Sequence, residues 1–139
     1  MNIDFSNFEL DHLGIAVNTI EEGLQFYQAL GFDKYEIEEV PSEKVKVCFL
    51  SLRNQVNIEL LEPTSTESPI AKFLAKRGPG IHHICYRVEN LEQLLQEYKK
   101  RGIRLIDETP RPGAHNCKVA FIHPKASGGV LIELSEKRG

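Results

Sequence analysis

The chain has 139 residues, 41% of them hydrophobic and 27% charged, with a formal net charge of −3. Those values suit one soluble globular domain with a real core, and the missing basic excess speaks against nucleic acid as the partner. No apolar run is long enough to span a bilayer, the N-terminal MNIDFSNFEL lacks a signal-peptide pattern, and the three cysteines (Cys48, Cys85, Cys117) form no C-x-x-C pair, so a reduced, cytoplasmic setting is expected.

Residues 10–17, LDHLGIAV, alternate as a strand does, with His12, Gly14 and Ala16 on one face and Leu13, Ile15 and Val17 on the other. Asn18-Thr19 then opens a helix whose apolar stripe is Ile20, Leu24 and Tyr27. It stops at Gly31, where a helix end favours a residue free to take positive φ. KVCFL (46–50) and VNIELLE (56–62) follow as strands; in the second, Val56, Ile58 and Leu60 oppose Asn57, Glu59 and Leu61. Next, PTSTESPIAKFLAKRGPG places Ser68 as N-cap and Pro69 at the first helical position, which predicts a short linker helix over about 68–78.

From there the chain repeats itself. Residues 81–107 align without a gap on 10–36: His83 falls on His12, Val88 on Val17, Leu95 on Leu24, Tyr98 on Tyr27 and Gly102 on Gly31. KVAFI (118–122) repeats KVCFL, and VLIELSE (130–136) repeats VNIELLE, so that Glu133 falls on Glu59. The expected architecture is α+β: two tandem β-α-β-β-β modules, about 8–64 and about 80–136, making one domain over 1–139 with a curved mixed sheet around a cleft.

Strand parity separates the adjacent histidines of GIHHICYRV. His83 shares a face with Cys85 and Arg87, whereas His82 lies with Ile84, Tyr86 and Val88, where packing or a hydrogen bond is its expected role. Cys85 is expected in the core. A carboxylate in strands as apolar as those of Glu59 and Glu133 is costly unless it is paired, hydrogen-bonded or bound to metal. His12, Glu59, His83 and Glu133, two from each module, therefore make a candidate set of four ligands. Imidazole nitrogen with carboxylate oxygen suits Zn, Co, Ni, Mn or Fe, and there are too few oxygens for calcium.

These residues, with the stretches IELLEPTSTESPIAKFL, IDETPRPGAH and VAFIHPKASGGVLIEL, resemble the vicinal oxygen chelate (glyoxalase I, bleomycin resistance, extradiol dioxygenase) superfamily, and within it the methylmalonyl-CoA epimerases. The resemblance spans about residues 10 to 135. It implies a metal-dependent isomerase that interconverts (R)- and (S)-methylmalonyl-CoA by removing the C2 proton through a metal-stabilised enolate. It also implies His12, Glu59, His83 and Glu133 as ligands of one divalent ion per chain (Co, Zn, Ni or Mn), with Glu133 first and Glu59 second as the bases. Some relatives carry glutamine where this chain has Glu59, and some carry a further glutamate on the strand of Val47, where this chain has no carboxylate. The acyl-CoA substrate should meet the loops RPGAHNCK and HPKASGG, whose His115, Lys118, His123, Lys125 and free backbone N–H groups suit phosphates. A homodimer is the expected assembly, with no membrane or nucleic-acid partner. Three other activities remain open: glyoxalase I, with the same ligand set; an iron dioxygenase using two histidines and one carboxylate; and a ligand-sequestering protein without catalysis.

Overall fold

The computed structural model describes residues 2–138. Its elements follow the repeat. The first module is β1 (Glu9–Ala16), α1 (Ile20–Ala29), β2 (Glu36–Val40), β3 (Val45–Ser51) and β4 (Asn57–Pro63). The linker helix α2 (Pro69–Arg77) follows, and then β5 (Gly80–Arg87), α3 (Leu91–Lys100), β6 (Arg111–Pro112), β7 (Cys117–Ile122) and β8 (Leu131–Lys137). The fold is mixed α+β, as expected. Contacts gather the described residues into two compact units, 12–82 and 2–11 with 83–138, so the N-terminal stretch belongs with the second module and α2 with the first.

In the unit 12–82 the strand order is β2-β3-β4-β1, with β2–β3 and β3–β4 antiparallel and β4–β1 parallel. Its core joins Val17, Ile20 and Leu24 to Cys48, Leu50 and Leu60, so α1 covers the even positions of β3 and β4. The other face carries His12, Val47, Phe49 and Glu59, all buried. Thr19 caps α1 as expected, its hydroxyl accepting the Glu22 N–H at 3.1 Å. A second acceptor was not anticipated: Glu62 Oε1 takes the Ile20 N–H at 2.7 Å.

The unit 2–11 with 83–138 repeats this plan in the order β5-β8-β7-β6, with β5–β8 parallel and the other pairs antiparallel. Val88, Leu91, Leu95, Ala120 and Leu134 form its core at the places that Val17, Ile20, Leu24, Cys48 and Leu60 hold in the first. Ile3 and Phe8 pack against that core. The start of α3 differs from that of α1. Asn90 sits at φ 55° and makes no side-chain cap; Glu136 instead accepts the N–H groups of Asn90 (2.9 Å) and Leu91 (3.2 Å). Lys118 lies 3.4 Å from Glu136, as Lys46 lies 3.9 Å from Glu62. The last glutamate of each repeated strand is thus a tether to a helix start, where a carboxylate meets orphan N–H groups and the positive end of the dipole.

Two local results complete the scaffold. Ser68, fully buried, accepts the Ile70 N–H at 3.1 Å, and α2 ends at Gly78 with φ 73°, as its composition predicts. Strand β6 shrinks to two residues because Pro110 and Pro112 flank Arg111 and donate nothing to a ladder. Among the described residues no helix is long and apolar enough to cross a membrane.

Candidate active site

Each unit builds the same buried trio. In the first, β1 and β4 run parallel with Gly14 opposite Glu59 and His12 opposite Asn57, which sets His12 one pair away from Glu59 on the shared face. His12 Nδ1 reaches Glu59 Oε2 at 3.0 Å, with both side chains under one-tenth exposed. Phe49 stands directly across from Glu59 on β3. In the second unit, Cys85 faces Glu133 and His83 faces Leu131 in the same parallel register. His83 Nε2 reaches Glu133 Oε1 at 2.9 Å. Phe121 stands across from Glu133, and its ring meets the His83 ring edge-on at 6.0 Å. The trios differ in one respect: His12 uses Nδ1 and His83 uses Nε2.

A buried carboxylate without a partner is expensive, and each glutamate is satisfied by an imidazole held on the neighbouring strand. Each pair offers one ring nitrogen and carboxylate oxygens, a donor set that fits a borderline divalent cation. A structural site of such ions takes about four protein ligands, so one pair is half a complement. Phe49 and Phe121 escaped the sequence reading even though both recur in KVCFL and KVAFI; as apolar residues they read as core.

Phe121 is itself fixed from behind. Asp107 Oδ2 accepts its backbone N–H at 2.8 Å and lies 3.3 Å from Arg111 Nε, while the Arg111 guanidinium sits 5.1 Å above the Phe121 ring. Arg87, two steps from Cys85, turns to Asp11, whose Oδ1 accepts from Nη2 at 2.7 Å and from Nε at 3.1 Å. His82 is half-buried with its ring edge-on to Phe73 of α2 at 5.1 Å, the packing role its parity predicts. Cys85 is fully buried, and burial pushes the Cys48 thiol up to about 11.

The four residues expected to read phosphates lie on or beside loops of the second unit, and they divide. His115 is exposed at φ 54°, at the tip of a turn where Gly113 approaches Val119 so closely that an added Cβ would come within 2.6 Å of its side chain. Lys125 is exposed, and its backbone N–H donates to His123 Nδ1 at 3.1 Å. Burial, then the charges of Arg104 and Lys125, hold the His123 imidazole below its ordinary value. Because Nδ1 accepts the Lys125 N–H, Nε2 is the ring nitrogen left to carry the proton of the neutral imidazole. Lys118, by contrast, is drawn to Glu136. The Gly128–Gly129 turn is pinned by the Gly129 N–H to Pro124 O at 2.7 Å and by hydrogen bonds from Ser127 Oγ to the Pro124 and Val130 carbonyls.

Comparison with known proteins shows what the chain is similar to in sequence and fold. A family model described as the Glyoxalase/Bleomycin resistance protein/Dioxygenase superfamily matches residues 11–121. The mitochondrial methylmalonyl-CoA epimerase of Homo sapiens is 42% identical over 129 residues, covering 91% of this chain and 73% of that protein. The crystal structure of methylmalonyl-CoA epimerase from Mycobacterium tuberculosis superposes with a TM-score of 0.88 at 38% identity, over 94% of this chain and 89% of that one. A glutamate-to-glutamine variant of the Streptomyces coelicolor methylmalonyl-CoA epimerase, in complex with 2-nitronate-propionyl-CoA, gives 0.86 at 31% identity, over 94% and 98% of the two chains.

Proposed function

The chain belongs to the Glyoxalase/Bleomycin resistance protein/Dioxygenase superfamily, and from that premise we propose that it is an isomerase that interconverts (R)- and (S)-methylmalonyl-CoA. The observation that carries this reading is a buried histidine–glutamate pair at the same place in both modules, in a chain 42% identical to a methylmalonyl-CoA epimerase. His12, Glu59, His83 and Glu133 are the proposed ligands of one divalent cation per chain, Co, Zn, Ni or Mn. When bound, that cation supplies a Lewis acid for the negative charge that develops on the substrate oxygens.

The chain's own residues then move the proton. C2 of the substrate lies between a thioester and a carboxylate, so its hydrogen is already acidic. A carboxylate on one side takes that proton, and the C–H electron pair passes into the enolate. A carboxylic acid on the other side returns a proton to the opposite face, and the two groups exchange roles in the reverse direction. Glu133 is the first candidate and Glu59 the second. The planar nitronate carried by the Streptomyces ligand has the shape of such an enolate, which supports this route. His115, Lys118, His123 and Lys125 are the proposed contacts of the CoA phosphates, the neutral His123 through its Nε2–H. The two modules act as one domain, in a cytoplasmic homodimer.

The test is proton exchange followed by NMR in D2O. Wild-type enzyme should wash deuterium into C2 of methylmalonyl-CoA, epimerise it, and leave the hemithioacetal of glutathione and methylglyoxal unturned. Turnover of the hemithioacetal without C2 exchange would move the assignment to glyoxalase I.

A further inference from the structure

Phe121, whose ring meets the His83 imidazole edge-on at 6.0 Å, is held both by its backbone and by its ring. Its N–H donates to Asp107 Oδ2 at 2.8 Å, and its carbonyl accepts the N–H groups of Ile106 at 2.9 Å and Asp107 at 3.2 Å. The Arg111 guanidinium lies 5.1 Å above the ring, the place a cation takes over the negative face of an aromatic side chain. Asp107 Oδ2 also lies 3.3 Å from Arg111 Nε, so one carboxylate holds the backbone of Phe121 and the cation on its ring together. All of these residues belong to the unit 2–11 with 83–138.

The stretch DETPRPGAH builds this arrangement. Pro110 and Pro112 fix φ on either side of Arg111, and Gly113, which has no Cβ, lets β6 press onto Val119 of β7. Arg111 then pairs with Val119, and Phe121 lies two residues further along β7 on the same face, a diagonal that a long side chain can span. The first module carries different residues at the matching places. By the repeat, Glu36 stands where Asp107 does, directly opposite Phe49, and Glu38 stands opposite Val47 as Arg111 stands opposite Val119. Neither glutamate can supply the cation that Arg111 sets on the ring.

We propose that Arg111 and Asp107 are positioning residues of the metal site: they hold the Phe121 ring, and the ring fixes the orientation in which His83 offers its imidazole. The inference rests on the reading of His83 as a metal ligand. That imidazole has two anchors, Glu133 Oε1 at 2.9 Å from its Nε2 and the Phe121 ring at its side. The contact with Glu133 fixes one atom of the imidazole, and the ring packed at 86° to it stops the imidazole turning about that contact. A ligand already held before the ion arrives loses less freedom on binding, and partners behind the ligands commonly govern metal affinity.

The test uses the full-length protein, first metal-free with isotopically labelled histidine nitrogens for NMR, then titrated with Co(II) alone by calorimetry. Wild type should give sharp ring-nitrogen signals for His83. Arg111→Met, which keeps a long side chain without the cation, should broaden or double those signals, leave the signals of His12 as they are, and weaken Co(II) binding about tenfold. Asp107→Asn should do the same, because it loses the charge that holds Arg111. Arg111→Lys restores a cation and should recover most of the affinity. Lys99→Met removes another cation of the same unit, one paired with Glu108, and should match wild type in both readouts. Unchanged His83 signals in Arg111→Met would overturn the proposal. So would equal change at His12 and His83 with a lowered thermal midpoint that Arg111→Lys does not recover, since that describes a loss of fold and not of position. A wild type that binds no Co(II) would instead overturn the ligand reading beneath the inference. One that binds Co(II) but does not epimerise would overturn the epimerase reading and leave the positioning role standing, because the His83 signals need no substrate.

Discussion

At the scale of single residues, the His12–Glu59 and His83–Glu133 pairs were legible because polar letters recurring in apolar strands demand a partner. Their phenylalanines were not, since a buried ring leaves no such anomaly in a sequence. Removing one member of a buried pair strands the other. His83→Ala should destabilise the metal-free protein by roughly 3–5 kcal/mol, and the His83→Ala/Glu133→Ala double variant should recover part of that loss in denaturant titrations. Thiol chemistry should sort by burial as well. Alkylation of the native protein, counted by mass spectrometry, should modify Cys117 and leave Cys48 and Cys85 until unfolding, because the buried Cys48 thiol sits at about 11 and Cys85 is fully enclosed.

At the scale of elements, the helices were placed by their apolar stripes, but their fastenings were not. Nothing local to Asn90 marks Glu136 as its cap, because the contact joins residues 46 apart in the chain. Likewise β6 shrank where the repeat called for a fuller strand, since local prolines outweighed the pattern inherited from the first module. Burial alone would raise the Glu136 pKa, but the N–H groups of Leu91 and Asn90 and the Lys118 ammonium outweigh it and hold the carboxyl below its usual value. A depressed carboxylate pKa contributes stability that is complete above the unfolded value and is lost as pH falls through the folded one. Glu136→Gln should therefore lower stability at neutral pH, by up to about 1 kcal/mol once solvent screening of a partly exposed carboxylate is counted. The same variant should show a shallower loss of stability than wild type on acidification below the ordinary carboxylate range.

At the scale of the whole molecule, the internal repeat carried most of the reading: two β-α-β-β-β modules, the linker helix and a core whose residues recur position by position. The sequence was less informative about outer strands, where exposure relaxes the apolar pattern that marks a buried face. Because the proposed ligands are split evenly between modules, cation binding should report on both. Adding Co or Zn to metal-free protein should raise the thermal midpoint, by about 2.7 kcal/mol of stability at one hundred times the dissociation constant. That shift should vanish equally in His12→Ala and His83→Ala; persistence in either one would remove that module from the ligand set.

Glu59 and Glu62 sit three apart on β4, and Glu133 and Glu136 three apart on β8. An odd interval on a strand sends two side chains to opposite sides, so each strand works like a rivet, with one carboxylate head in the buried histidine–glutamate layer and the other gripping a helix. Substitutions along these strands change one head at a time. Deleting a single residue between the two glutamates changes their parity: both heads then point to the same side, and whichever register the strand adopts, one grip is lost. The spacing of these two glutamates therefore does not tolerate a shift of one residue, in either module.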